Sequence, residues 1–335
     1  MLKRKQIPNS IPNIKLGEID FPRLVMGIHP FDGVSYKNKE IDKKNLKLFN
    51  TVSPVKNILE HAIKEHEFSF IQIDHMNPIL NRMHLQAIYE TELSLNKKIG
   101  LLAYILIPIN LNGVLTSYSD KAYSTLYAND LLIAGNKYHK KIHDDEILKY
   151  NLGGNFNNLI TPDKIAPFTK EEIENLSIDY KTLEQYLGFF AGCEILVADP
   201  GAEIDLLAAT GRFDLIKEYI AFLRKRFKVV ITSVHHAGST IPLLEKEGIE
   251  VDGYLTPINY LGMFMFPTRD LAIDAIKQTS KPVIAMKALA GGRYLGTKAF
   301  EYVFYDVDVE SCMFGLVRIK QVDETANSAK NVLGI

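Results

Sequence analysis

The chain has 335 residues, with 39 Lys plus Arg against 40 Asp plus Glu, and 47% of its residues are hydrophobic. These values exclude a disordered, collagen-like or coiled-coil chain, and the balanced charge argues against a nucleic-acid or anionic-membrane binder. With no signal-peptide pattern and no apolar run of about 18 residues, we expect a cytoplasmic protein. Cys193 and Cys312 form neither a disulfide framework nor a metal-ligand motif, so we expect both to be small buried residues.

Eight short apolar segments are spaced along the chain, and most of them are continuously apolar rather than alternating. Such runs are typical of strands that are buried on both faces of a parallel sheet. The predicted strands, in chain order, are Arg23–Ile28, Phe68–Ile73, Gly100–Ile107, Glu194–Ala198, Lys228–Ser233, Val251–Leu255, Pro282–Met286 and Val309–Phe314.

Helical patterns fill most of the intervals between these strands. Ser53 and Pro54 predict a helix start, and residues 169–172 form a capping box that predicts one helix continuing to Gly192. Further helices are predicted around residues 216–223, 240–248, 271–279, 297–304 and 320–333. The charged segment Lys37–Lys47 is expected to be a solvated loop.

This alternation predicts an α/β fold, a (β/α)8 TIM barrel that spans residues 1–335 as a single domain. A doubly wound sheet is the alternative, but no Gly-x-Gly-x-x-Gly motif follows the first strand. The extra length falls mainly in residues 108–168, after the third strand, which are polar and rich in Asn and Tyr. Long loops on barrels carry function, so we expect this insertion to cover the active-site mouth.

Polar residues directly follow most of the predicted strands, and in a barrel these strand ends surround one mouth. The candidate catalytic residues are His29, Asp74, His75, Asp199, His235 and Lys287. Asp and His act as general acids and bases, and a buried Lys can form a Schiff base. His29, Asp74 and His235 are also suitable ligands for a divalent metal. The alternative for each residue is structural: a buried histidine with satisfied hydrogen bonds, a helix cap at Asp199, or a counter-ion at Lys287.

The loop from Lys287 to Arg293 contains two adjacent glycines, Gly291 and Gly292, and leads into a helix. Glycines let the backbone approach a ligand closely, and a helix N-terminus favours an anion. Because the loops after the seventh and eighth strands commonly bind phosphate in this fold, we predict a phosphate-binding loop here, joined by Arg318. A plain Gly-Gly turn is the alternative.

Three stretches, residues 15–27, 228–261 and 282–324, resemble the aldo-keto reductase superfamily. They include Lys15-Leu16-Gly17 and the run from Pro282 to Gly292. The resemblance implies a TIM barrel with an N-terminal β-hairpin, and NAD(P) bound across the barrel mouth. It places the cofactor contacts on Leu289, Gly291, Gly292, Arg318, Gln321 and Glu324.

The nicotinamide end of this pattern differs from the family. Asp74 matches the catalytic Asp, but no Tyr follows it five residues later, where Ile79 lies. The family's Ser-Asn pair is Val234-His235 here, and its stacking Tyr corresponds to Met286. An oxidoreductase would therefore need a Tyr from elsewhere, and residues 108–168 contain several.

Three functions remain open from the sequence. The first is non-redox acid–base or metal-assisted chemistry on a small anionic or phosphorylated substrate, in which a divalent metal would assist. The second is a divergent NAD(P)-dependent oxidoreductase, and the third is a non-catalytic ligand-binding barrel. In each case the expected partner is a small molecule, with no nucleic acid and no membrane.

Overall fold

The computed structural model describes residues 10–335 and contains a barrel of eight parallel strands. The strands are Leu24–Gly27, Phe70–Ile73, Gly100–Tyr104, Ile195–Asp199, the split strand Val229–Val230 and Thr232–Ser233, Tyr254–Pro257, Val283–Met286 and Ser311–Gly315. Each of the eight predicted strands overlaps one of these. The (β/α)8 fold predicted from the alternation is confirmed.

The fifth strand closes the barrel, because its two halves pair with different neighbours. Val229–Val230 pairs with the fourth strand and Thr232–Ser233 pairs with the sixth, with Ile231 between them. The remaining strands pair in parallel in chain order, and the eighth pairs with the first. The ends of all eight strands therefore face one rim, as the sequence analysis assumed.

A two-stranded hairpin precedes the first barrel strand. Asn13–Leu16 pairs antiparallel with Ile19–Pro22, as the family resemblance implied. Leu16 and Phe21 are fully buried and belong to an apolar cluster that includes residues from the barrel strands, such as Val25 and Leu102. A second, larger core contains apolar residues of the strands and of the surrounding helices.

Fourteen α-helices are present in the described part of the chain. They are α1 (Lys39–Leu48), α2 (Val52–His66), α3 (Pro78–Leu95), α4 (Asp120–Ala134), α5 (Asn136–Asp144), α6 (Glu146–Asn151), α7 (Lys170–Glu174), α8 (Tyr180–Phe189), α9 (Glu203–Ala209), α10 (Phe213–Arg224), α11 (Ala237–Lys246), α12 (Arg269–Gln278), α13 (Thr297–Glu301) and α14 (Ile319–Leu333). None of the helices in residues 10–335 combines the length and hydrophobicity needed to cross a membrane.

Two local predictions were wrong. The segment Lys37–Lys47 is mostly helix α1, because the Asn38 side chain accepts a hydrogen bond from the Ile41 N–H and starts a helix. The capping box at Thr169 is present, but its helix ends at Glu174. Residues 176–178 then form a strand that pairs with residues 109–111, so the predicted long helix is divided in two.

The insertion forms helices α4 to α6 and contacts the barrel loops at several points. The Tyr150 hydroxyl donates to Asp42 on α1 at 2.9 Å, and the Phe264 N–H donates to Asp145 at 2.6 Å. Asp130 on α4 contacts the ring of His236, after the fifth strand, at 2.5 Å. These contacts hold the insertion against loops that follow three different barrel strands.

Candidate functional site

Two neighbouring cavities are lined by residues that follow the barrel strands. The first has a volume of about 490 Å³ and contains eight of the residues predicted from sequence. These are His29, Lys287, Leu289, Gly291, Gly292, Arg318, Gln321 and Glu324. The strand-end residues and the glycine loop, which the sequence analysis treated separately, therefore share one cavity.

The second cavity has a volume of about 520 Å³ and lies between the insertion and the barrel. Tyr118 and Tyr123 from the insertion line it together with Tyr104, Glu203 and His235. The Tyr104 hydroxyl bonds to the Tyr118 hydroxyl at 2.7 Å and donates to Glu203 at 3.1 Å. Burial raises the pKa of Glu203 to about 8, so this carboxyl group is mostly neutral at neutral pH.

Lys287 and His235 connect the two cavities, since Lys287 lines the first and His235 lines the second. The Lys287 Nζ lies 3.1 Å from the His235 Nε2. Burial lowers the pKa of Lys287 to about 7, although the Asp145 carboxylate acts in the opposite direction. Burial and the nearby Lys287 charge hold the pKa of His235 well below its usual range, so this imidazole is neutral and accepts the bond.

The backbone at Lys287 is unusual for a residue with a side chain. Its φ of 57° lies in the left-handed region, which costs energy for residues other than Gly. Its ammonium group lies 5.3 Å from the centre of the Tyr36 ring and 5.2 Å from that of Phe264. The surrounding structure therefore aims this Lys between two aromatic rings at the mouth of the barrel.

Tyr36 lines the first cavity and pairs with His29, the residue at the end of the first strand. The Tyr36 hydroxyl lies 2.6 Å from the His29 Nδ1. Burial raises the pKa of the Tyr36 phenol, so it keeps its proton at neutral pH. Burial and the charge of Lys287 lower the pKa of His29 to about 4, so the ring is neutral. A protonated phenol thus faces the cavity with a neutral imidazole as its partner.

Asp74 is paired with a second carboxyl group, Asp32, which the sequence analysis did not single out. The two side chains are hydrogen-bonded to one another, and burial raises the pKa of both, that of Asp32 to about 8. Such a pair holds one proton at neutral pH, because two adjacent buried carboxylates repel. The Asn81 amide donates to Asp32 at 3.0 Å and the Met76 N–H donates to Asp74 at 2.9 Å. Neither Asp32 nor Asp74 lines either of the two cavities.

His75 and Asp199 have structural contacts rather than cavity contacts. The His75 ring stacks on Tyr186 and accepts a hydrogen bond from the Leu106 N–H at 3.3 Å. Asp199 is fully buried, and both the N–H (2.7 Å) and the hydroxyl of Ser233 donate to it. Asp199 therefore joins the fourth strand to the fifth. A structural role, the alternative to catalysis, describes both His75 and Asp199 better.

The two glycines in the loop after the seventh strand allow other atoms to approach the backbone closely. In this structure those atoms belong to another segment of the protein rather than to a ligand. A Cβ atom on Gly291 would come within 2.9 Å of the Tyr36 Cβ, and one on Gly292 within 2.9 Å of the Lys37 Nζ. The Arg293 guanidinium also donates to the Tyr36 carbonyl at 2.7 Å. The glycine loop therefore supports the segment that carries Tyr36, while its residues still line the cavity.

Cationic groups surround the part of the first cavity next to α14. Arg318 precedes this helix and Lys320 is in its first turn, and both line the cavity with Lys37. No side chain caps the helix, so its first N–H groups have no such partner. An uncapped helix N-terminus together with cations is suited to phosphate groups.

The three predicted metal ligands do not form one group. Among residues 10–335, the only set of three His, Cys, Asp or Glu ligand atoms within 4.8 Å of one another is that of His61, His66 and Asp323. Instead, each of the three forms a hydrogen bond with a different side chain: His29 with Tyr36, Asp74 with Asp32, and His235 with Lys287. The structure thus provides acid–base pairs where a metal site was predicted.

Tyr36 and Glu203 are the main site residues that the sequence analysis missed. Tyr36 lies in the loop after the first strand, seven residues from His29, and not among the tyrosines of residues 108–168 that the sequence offered as candidates. Glu203 was hidden because it opens α9 and looks like an ordinary first-turn acid. Only the burial of its carboxyl group and its bonds to tyrosines distinguish it.

Comparisons with known proteins show similarity at the level of structure. No family model matches the sequence, and no curated protein sequence matches it. A solved structure described as a putative aldo-keto reductase from Pseudomonas aeruginosa has a TM-score of 0.56 at 12% identity, and the match covers 98% of each chain. A second structure described in the same way, from the same organism, has a TM-score of 0.52 at 11% identity, with 97% of this chain and 98% of that chain covered. The chain thus has the barrel fold of the aldo-keto reductases.

Proposed function

We propose that this chain is an NAD(P)-dependent oxidoreductase that reduces a carbonyl group of a small molecule or oxidises the corresponding alcohol. The observation that carries the proposal is the first cavity, where a cationic helix N-terminus and the Tyr36 hydroxyl open into the same space. The solved structures of similar fold are described as putative aldo-keto reductases, which supports this reaction class.

The cofactor fits the residues that line the first cavity. Arg318, Lys320 and the uncapped start of α14 provide positive charge and N–H donors for its phosphates. Leu289, Gly291, Gly292, Gln321 and Glu324, the other contacts implied by the family resemblance, line the same cavity. We assign the anion affinity predicted from sequence to these cofactor phosphates rather than to the substrate.

When bound, the reduced nicotinamide supplies a hydride for the carbonyl carbon. The carbonyl oxygen then needs a proton, and Tyr36 is the group in this cavity that holds one at neutral pH. The phenolate that remains would be stabilised by the Lys287 ammonium and by the His29 ring, whose Nδ1–H would donate a hydrogen bond to the phenolate oxygen at 2.6 Å while His29 itself stays neutral. Because the pKa of Lys287 is lowered to about 7, its amino group can gain or lose a proton near neutral pH.

The insertion completes the proposal by enclosing the substrate. We propose that residues 108–168 cover the mouth of a single barrel domain and that the second cavity, beneath the insertion, receives the substrate. Its tyrosines and the neutral Glu203 favour an uncharged or aromatic molecule over an anion. The Lys287–His235 contact lies where this cavity meets the first, so the substrate would extend its carbonyl group from the second cavity toward Tyr36 in the first.

The other two functions predicted from sequence have less support. Non-redox acid–base chemistry on an anionic substrate would use the same His29, Tyr36 and Lys287 groups and the same cationic end of the cavity, but the solved structures of similar fold are described as putative reductases. Its metal-assisted form required His29, Asp74 and His235 to act together, and each is bonded to a different partner. A non-catalytic barrel gives no reason to bury a Lys in a strained conformation.

A fluorescence titration with NADPH and NADH tests the cofactor. We expect saturable binding of one or both nucleotides, weakened about 10- to 100-fold in Arg318→Ala, because a charge-assisted bond contributes about 1.5–3 kcal/mol. Arg226→Ala is the control, since Arg226 follows α10 and contacts Glu184 and Phe222. An absence of binding at millimolar nucleotide would refute the proposal.

Turnover tests the proton donor. With a panel of aldehydes and ketones, Tyr36→Phe should bind NADPH normally and lose about 10²- to 10⁴-fold in kcat, the usual contribution of a general acid. Tyr118→Phe, which removes a hydroxyl of the second cavity, should change KM more than kcat. If Tyr36→Phe retains full kcat while Tyr118→Phe does not, the proton donor comes from the insertion instead.

A further inference from the structure

Two histidines and one aspartate converge in the outer helical layer of the barrel, and none of the three lines either cavity. His61 and His66 lie on α2, and Asp323 lies on α14. The His61 Nε2 is 2.6 Å from the Asp323 Oδ1, and the His66 Nε2 is 2.7 Å from the same oxygen. Both imidazoles therefore direct the same ring nitrogen at one carboxylate oxygen.

This arrangement is more specific than an ordinary ion pair. One histidine would be enough to pair Asp323, yet two rings approach it, with their centres 5.9 Å apart and their planes at 65°. Residues five apart on a helix do not share a face, since they are rotated by about 140°. They converge here because His66 is the last residue of α2 and the chain turns at Glu67, whose φ is 61°.

We propose that His61, His66 and Asp323 form a binding site for a divalent transition-metal ion of the zinc type. Two imidazole nitrogens and one carboxylate oxygen are a donor set that zinc accepts, with water in the fourth position. The Asp323 side chain is 42% exposed, which gives an ion access, while that of His66 is 7% exposed and held by its surroundings.

The change needed to accept an ion is small. Ligands at about 2.0–2.1 Å from a tetrahedral zinc are about 3.3 Å from one another, so each nitrogen would move about 0.6–0.7 Å from the oxygen. Both imidazoles must carry their remaining proton on Nδ1, so ion binding displaces the two N–H bonds that now reach Asp323. Small side-chain rotations are sufficient for this movement, without a change in either helix.

The site would have a structural effect on the cofactor cavity. Asp323 is adjacent in sequence to Glu324 and two residues from Gln321, and both of those line the first cavity. An ion between α2 and α14 would join the two helices and fix the helix that carries these residues. This inference does not depend on the proposed reaction, because none of the three ligands is assigned a part in it.

Titration of the chelator-treated full-length protein with Zn²⁺ by calorimetry, and with Co²⁺ by absorption, tests the site. We expect one equivalent of metal to bind, with visible Co²⁺ bands that report imidazole ligation and a higher Tm in the presence of Zn²⁺. Asp323→Asn and His61→Gln should each weaken binding at least 10-fold, whereas His143→Gln, on α5, should not.

The two variants keep roughly the size of the side chains that they replace, and a thermal melt without metal shows whether each one is folded. Failure of the wild-type protein to bind Zn²⁺ at millimolar concentration overturns the proposal and identifies the group as a hydrogen-bonded clasp. Binding that is equally tight in folded Asp323→Asn and His61→Gln also overturns it, since the ion would then lie elsewhere.

Discussion

Lys287→Met should increase the stability of the folded protein while removing the charge that the proposed reaction uses. Burial lowers the pKa of Lys287 from 10.5 to about 7. Each tenfold change in proton affinity corresponds to about 1.4 kcal/mol, so this lowering amounts to about 5 kcal/mol against the charged form. The side chain is only partly shielded by the surrounding protein and Met must replace its contacts, so we expect a gain of about 1–3 kcal/mol.

The sign of this effect depends on pH. The unfolded chain holds the Lys287 proton up to about pH 10.4, whereas the folded chain releases it near pH 7. Between these values the unfolded state binds more protons, so the wild-type protein becomes more stable as the pH rises. Met does not titrate. The advantage of Lys287→Met should therefore be full at and below about pH 7 and decline toward zero near pH 10.4.

Urea denaturation at several pH values measures this difference, provided that the m-value is unchanged between the two proteins. Lys298→Met is the matched control, because Lys298 is exposed on α13 and should show no such dependence. A Lys287→Met protein that is less stable than the wild type at about pH 6, or a gain that stays constant with pH, would refute the burial of an energetically costly ammonium at this position.

Two further substitutions test the packing around the site. Asp130→Asn should cost about 3–5 kcal/mol in urea denaturation at neutral pH, because it leaves the buried, charged His236 without its partner. The pair raises the pKa of His236 from 6.5 to about 9. The loss of stability in Asp130→Asn should therefore be complete below about pH 6.5 and fall as the pH passes 9. A loss of stability that does not change with pH would contradict this. Gly315→Ala should lower stability by about 1–3 kcal/mol, because the added Cβ would lie 2.4 Å from the Pro30 Cγ. Gly188→Ala is the control: its Cβ would meet no atom within 4 Å, so it should be neutral or stabilising in the same assay.

The barrel could be predicted from the sequence because its signals are local. Each strand is a continuous apolar run, and a buried parallel strand needs such a run whatever its partners are. Polar residues directly after those runs marked His29 and Lys287, and the strand order of the fold then placed both at one rim. The two adjacent glycines marked the loop after the seventh strand, and the family resemblance added Leu289 and the α14 residues Gln321 and Glu324.

Features that depend on distant partners could not be predicted. The spacing of Ile173, Leu176 and Tyr180 is that of a helix, but Leu176 belongs to a strand because it pairs with Leu111. Asp199 has the same sequence context as a catalytic strand-end acid, and only its bonds to Ser233 identify a structural role. In each case the deciding contact joins residues that are far apart in the chain.

The contact between Asp130 and His236 has a consequence for the order in which the chain folds. The two residues are 106 positions apart, and His236 comes later in the chain than the insertion. The hydrogen bond from Tyr150 to Asp42 spans 108 positions, with the partner earlier in the chain. During synthesis, α4 leaves the ribosome long before the fifth strand that provides its buried partner. Contacts of such long range form slowly, because they close large loops. We therefore expect the insertion to complete its docking late, after the strands around it have assembled, and chains truncated before residue 236 should lack the contact that holds Asp130 of α4 to the barrel.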